Sequence, residues 1–263
     1  MSSATRSTLT IIRQHFPHLG INLPEGLTTD LAEIDRVFTD PDAFTGSRRA
    51  LIEAVGVALS AGKDPATDKA VLVHLAREQM RLQNIGDALA ELAEERRADA
   101  LRTHEEAILV LLSGVIDRAD ETLAEARDSI PDLDLNDADR VPNMAPGLMA
   151  LWGRALEALG HVERVVQVYT MIVAARGHGV LPPHRRPLVI AELSLSELNA
   201  LGHQPKATAA VHAGHRLSLA TPERFADRLE RVESDRAHDA TRGERDFAEK
   251  VRTVYGAGHS LVS

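Results

Sequence analysis

Cysteine is absent from all 263 residues, which removes disulfide bonds, thiolate zinc sites and cysteine nucleophiles together. That absence suits a reducing compartment. Aromatic residues are scarce at 3%, and alternating β-branched runs are hard to find, so the side chains that line sheets are in short supply. No apolar run reaches the roughly 18–20 residues that a membrane-crossing helix needs. Near the start, Leu9-Thr10-Ile11-Ile12 is too short and too soon interrupted for a secretory signal, and a cytoplasmic location is the expectation. The familiar catalytic signatures are missing as well. There is no Gly-x-Ser-x-Gly elbow and no His-Glu-x-x-His, and Gly177-His178-Gly179 lacks the lysine and following helix of a phosphate loop.

What is present points to helices. Ala and Leu dominate a hydrophobic fraction of 44%, and such side chains lose little rotamer freedom in a helix. An all-α fold follows. The formal net charge is −9, and residues 86–140 hold 16 acidic against 6 basic residues. A surface of that sign repels nucleic-acid phosphates, so protein partners are expected and nucleic acid is not.

Apolar spacing divides the chain into three regions: short helices over 1–65, long helices over 66–177, and a helical region over 178–263. Thr29 or Asp30 can cap a helix through Leu31, Ile34 and Val37, and Ser47 another through Leu51, Val55 and Leu59 to Gly62. Proline is absent from Ala66 to Ile130. Leu101, His104, Ile108, Leu112, Val115, Ala119, Leu123, Ala126 and Ile130 then advance in steps of three and four, which predicts one helix over 87–129 running through Gly114. At about 1.5 Å per residue it would extend roughly 60–65 Å. A second seam, Leu148, Trp152, Ala155, Leu159, Val162, Val166, Tyr169 and Val173, predicts a helix over 146–176 through Gly160. The two are expected to pair as an antiparallel hairpin, with Trp152 buried so that Trp152→Ala would cost about 3–5 kcal/mol. Further helices are expected over 188–201, over 206–217 and from Pro222 onward.

A repeat is worth testing, because Ala158-Leu159-Gly160-His161 recurs as Ala200-Leu201-Gly202-His203. That recurrence resembles the helix-turn-helix of tetratricopeptide repeats. Both apolar stripes pass through their glycines without a change of phase, which argues for continuous helices instead.

Few residues suggest chemistry. Asp132, Asp134 and Asn136 alternate oxygen donors as a calcium loop does, but the glycine and glutamate such a loop needs are replaced by Asp137 and Asn143. His212 and His215 share a helix face at i and i+3, and His203 is the nearest third imidazole for a metal. Solvated side chains are the simpler reading of both sets. His178 and His184 lie near Arg185-Arg186 in a Gly/Pro-rich loop that could grip a phosphate or carboxylate. No cofactor is expected.

Part of the chain resembles helical proteins encoded in tailed phages and prophages of actinobacteria. The residues that carry the resemblance are Asp40-Pro41-Asp42-Ala43-Phe44-Thr45-Gly46-Ser47-Arg48-Arg49-Ala50-Leu51 and Ala61-Gly62-Lys63-Asp64-Pro65-Ala66-Thr67-Asp68. The long Ala/Leu/Glu helix, the Asp-Leu-Asp-Leu loop and Trp152 continue it in order, over residues 28–175. The resemblance implies a virion-structural or head-assembly role and transfers no catalytic residue. The leading expectation is a non-enzymatic assembly or scaffold protein whose interaction and core seam comprises Leu101, Ile108, Leu112, Val115, Leu148, Trp152, Leu159, Val166 and Tyr169. Part of that seam should meet another chain, either a second copy or a basic protein surface. The alternatives are a tetratricopeptide-like peptide-binding module and an enzyme with a metal site at His203, His212 and His215.

Overall fold

The protein is mainly helical in a computed structural model, which describes residues 2–38, 47–130, 133–178, 181–203 and 205–256. No strand occurs among those residues, as the shortage of sheet-lining side chains requires. Contacts within the chain divide it into two units, residues 1–108 and 109–263, where the sequence suggested three regions.

The first unit contains α1 (Ser2–His18), α2 (Glu25–Phe38), α3 (Arg48–Ser60), α4 (Lys69–Leu82) and α5 (Ile85–Thr103). Ser47 starts α3 by accepting from the Ala50 N–H at 3.4 Å. Asp68 starts α4 by accepting from Ala70 and Val71 at 2.9 and 3.3 Å. The Val71 N–H leads in holding the Asp68 carboxyl below the ordinary carboxylate range. α1, α2 and α4 pack on α5, while the principal neighbour of α3 is α4. Leu9, Ile12 and Phe16 of α1, Leu27, Leu31 and Ile34 of α2, and Ala93, Ala100 and Leu101 of α5 form the core. A carboxylate lies within it. Glu94 of α5 is buried and accepts from Arg6 of α1 and Arg97, each at 2.6 Å. Arg97 reaches on to Asp35 of α2 at 3.0 Å, so three helices meet around paired charges.

The helix expected over 87–129 is two helices, α5 and α6 (Glu105–Ser129), separated at His104. His104 has φ −101° and ψ 8°, which ends α5. Its ring leaves the apolar stripe and bonds Asp30 of α2 at 2.8 Å. Gly26 makes room for it, since a Cβ there would come within 2.5 Å of the His104 Cε1. α6 then runs uninterrupted through Gly114, and α7 (Pro146–Val173) through Gly160. Neither glycine reverses the chain. The recurring tetrapeptide is not a repeated turn, because Gly160 is helical whereas Gly202 sits in a turn with φ +102°.

The second unit takes in most of α6 with α7, α8 (Pro187–Ile190), α9 (Leu195–Ala200), α10 (Thr208–His212) and α11 (Pro222–Gly256). An ion pair of 3.2 Å joins Glu125, near the end of α6, to Arg154, near the start of α7. It ties their adjoining ends and is compatible with the expected hairpin. The helices expected over 188–201 and 206–217 are shorter than the apolar pattern suggests. Residues 191–193 and 215–220 are non-helical, and the Ser218 and Ala220 N–H groups donate to the Ile190 and Val189 carbonyls at 2.7 and 2.8 Å. α9 restarts at Ser194 with a capping box closed by Glu197.

Arg228 of α11 ties α8 to the non-helical segment that contains Ser218. Its side chain is buried, and it donates to the Leu188 carbonyl at 2.9 Å, the Ser218 carbonyl at 3.3 Å and the Ser218 hydroxyl at 2.8 Å. Burial pulls its pKa below the usual arginine range, opposed first by Glu192. Replacing Arg228 by Met should leave those acceptors buried and unsatisfied, destabilising the protein by about 3 kcal/mol. A urea titration of Arg228→Met showing a change below about 1 kcal/mol would contradict this assignment.

Candidate interaction surface

The residues of α3, Arg-Arg-Ala-Leu-Ile-Glu-Ala-Val-Gly-Val-Ala-Leu-Ser, carry apolar side chains on every face after Glu53. A helix apolar all round belongs inside a protein. Here it is covered mainly from one side, by α4, and Ile52, Val57 and Leu59 remain 61, 70 and 61% exposed. α4 adds exposed Leu72, Val73, Leu75, Met80 and Leu82. Among the described residues these eight are more than half of the fourteen large apolar side chains left exposed, so the exposure is concentrated and not scattered. Between the two helices lies a cavity of about 520 Å³ with Ala54, Val57, Ala58 and Ala70 among its lining and Lys63 and Asp68 at its rim.

The charge on this pair of helices is opposite to that of the whole chain. Residues 47–83 hold six basic and four acidic residues in a protein of net charge −9. Arg49 is paired with Glu53 at 2.9 Å, Lys63 with Asp68 at 3.6 Å and Arg81 with Glu78 at 2.7 Å. The Arg81 hydrogen bond leads in holding Glu78 below the usual carboxylate range. Arg48, Lys69 and Arg77 are exposed and make no ion pair among the described residues. On α5 the sign reverses. Asp87, Glu91 and Glu95 recur at i, i+4 and i+8, all exposed, beside the half-exposed Leu92.

The residues singled out in the sequence lie elsewhere. Leu101, Ile108, Leu112 and Val115 are buried, and so are Ala119, Leu123, Ala126 and Ile130 further along the stripe. These side chains belong to the core, as the seam's packing role requires. On α7, Val166 and Tyr169 are buried, and the Tyr169 ring meets Phe225 edge-on at 6.1 Å. Leu148, Trp152 and Leu159 are only half-buried. The covered stripe is Leu151, Ala155, Ala158, Val162, Val165, Val166, Tyr169 and Ile172; it keeps Ala155, Val162, Val166 and Tyr169 of the expected seam and takes Leu151, Ala158, Val165 and Ile172 in place of their half-buried neighbours. With alanine at 155 and 158 on both candidate stripes or beside them, spacing alone did not separate the two phases.

The metal candidates do not converge. No group of three or more potential ligands gathers among the described residues. His203 is exposed near His184 and Arg236, His212 is exposed, and the His215 Nδ1 lies 3.9 Å from Glu197. Asp134 accepts from the backbone and side-chain amides of Asn136 at 2.9 and 3.1 Å, which closes a local turn. Asp132 lies outside the described residues.

No helix among the described residues is long and apolar enough to cross a membrane. Comparison with models of known families, with curated proteins and with solved structures finds no match.

The Trp152 Nε1 is buried without a hydrogen-bond partner among the described residues. Trp152→Phe removes that unpaired donor and should change stability by less than about 1 kcal/mol. Trp152→Ala should cost about 2 kcal/mol, below the roughly 3–5 kcal/mol of a fully buried ring. A urea titration in which Trp152→Ala loses more than about 4 kcal/mol would show that the indole is a core element after all.

Proposed function

We propose that the protein is a non-enzymatic helical assembly protein that associates with further copies of itself. In this reading the apolar, cationic surface of α3 and α4 on one copy docks on the acidic outer face of α5 on the next. The observation that carries it is α3, apolar around its circumference yet covered chiefly by one helix. Charge complementarity selects the occupant. Arg48, Lys69 and Arg77 on one surface face Asp87, Glu91 and Glu95 on the other, and exposed Leu92 supplies apolar contact at the acidic end. Two different patches meet in such a contact, so it is heterologous and builds rings or open arrays, as a scaffold requires. The likeness of residues 28–175 to helical proteins of actinobacterial tailed phages supports a head-assembly or virion-associated setting for that activity.

Light scattering over a concentration series tests the proposal. The expected mass exceeds the 28.6 kDa of one chain and falls as salt is raised, since exposed charges are screened within about 8 Å at physiological ionic strength. The paired change Ile52→Ser with Leu59→Ser alters only exposed side chains and should return the protein to monomer. Arg77→Glu should weaken association, and combining it with Glu91→Lys should restore it. A monomer at every concentration, or an oligomer indifferent to both sets of changes, would overturn the reading.

A further inference from the structure

In the second unit a cavity of about 260 Å³ is lined by His184, Asn199, His203 and Arg236, with Leu198 and Pro205 forming its apolar wall. The polar groups come from three separate segments: the turn before α8, the end of α9 with the loop after it, and the middle of α11. The turn at Gly202, with φ +102°, brings His203 back toward the cavity, a conformation that L side chains rarely adopt. Among the described residues no carboxylate lines the cavity, although acidic residues outnumber basic ones by 39 to 30 in the chain.

Three neighbouring arginines are already engaged. Arg185 pairs with Glu233 at 2.6 Å, Arg231 pairs with Glu192, and Arg228 is spent on buried carbonyls. The Arg231 hydrogen bond holds the Glu192 carboxyl below its ordinary range. Arg236 differs. It makes no ion pair among the described residues, even though Asp239 stands one turn away on the same helix. It lines the cavity together with Asn199 and the two histidines.

We infer that this cavity binds a small oxyanion, a phosphate or carboxylate group, held by the Arg236 guanidinium and by donors from Asn199, His184 and His203. A guanidinium fork matches the paired oxygens of either group. The volume lies below the roughly 300–1,000 Å³ of sites for drug-sized ligands, so the ligand is a single acid group with little attached to it. This site is independent of the α3–α4 surface, and its failure would leave the assembly reading untouched.

Calorimetric titration of the full-length protein with inorganic phosphate and, separately, with acetate provides the test, at constant ionic strength and neutral pH. Saturable binding of at least one anion is expected, weakened at least ten-fold in Arg236→Gln and several-fold in His203→Ala. Arg242→Gln, an exposed change further along α11, should bind as the wild type does. Circular dichroism confirms that the variants fold, which their exposed positions favour. Phosphate binding alone would assign a tetrahedral anion, and binding of both would extend the site to carboxylates. No saturable binding of either anion, or equal binding by wild type and Arg236→Gln, would overturn the inference.

Discussion

A helix packed against one neighbour can hide a stripe of its surface but not its whole circumference, and the energetics of this protein turn on where that limit is met. α6 obeys it over most of its length, with Ile108, Leu112, Val115, Ala119, Leu123 and Ala126 covered in one stripe and Val110 left 65% exposed on the far side. α7 exceeds a single stripe toward its end, where Val165, Val166, Val168, Tyr169 and Ile172 are all buried. There α8 and α10 supply the extra cover. α3 has the same all-round apolar character but only α4 as its principal neighbour. Each large aliphatic side chain left in water forgoes about 1.5–3 kcal/mol of burial, so the folded chain gains by covering α3 from outside.

With 3% aromatic residues, the protein has few bulky rings to key one helix to the next. Polar anchors take over part of that task. Glu94 fixes α5 against α1 directly, and through Arg97 and Asp35 against α2. Arg228 holds α8 and the non-helical segment at Ser218 beside α11 by occupying a carbonyl of each. Removing one side of such an arrangement leaves the other buried without a partner, which is the expensive outcome. These anchors specify geometry that interchangeable Ala and Leu contacts leave open.

This division explains what the sequence disclosed and what it hid. The all-α class was legible because alanine-rich composition and steps of three and four point the same way. So was continuity through Gly114 and Gly160, since neither stripe slips there. The break at His104 was hidden, because the histidine fits the stripe by spacing and leaves it only for Asp30 and the space over Gly26. The short elements after residue 187 were hidden too, because Arg228 acts from 40 positions away. Long-range hydrogen bonds carry no local signal. The exposed apolar face of α3 was missed for a different reason: the pattern of α3 announces burial, and only the fold shows how little of it is covered. His184 and His203 had each been noticed, but their meeting with Arg236 depends on the turn at Gly202.

The central claim is that α3 is covered by a second copy of the chain, and amide hydrogen exchange measured against protein concentration tests it most directly. At high concentration the amides of α3 and α4, together with those on the outer face of α5, should gain protection, while the covered stripe of α6 stays unchanged. On dilution that added protection should disappear in α3, α4 and α5 together, since one contact covers all three. Exchange in α3 that is rapid and independent of concentration would contradict the account, because the helix would then be shown to remain uncovered.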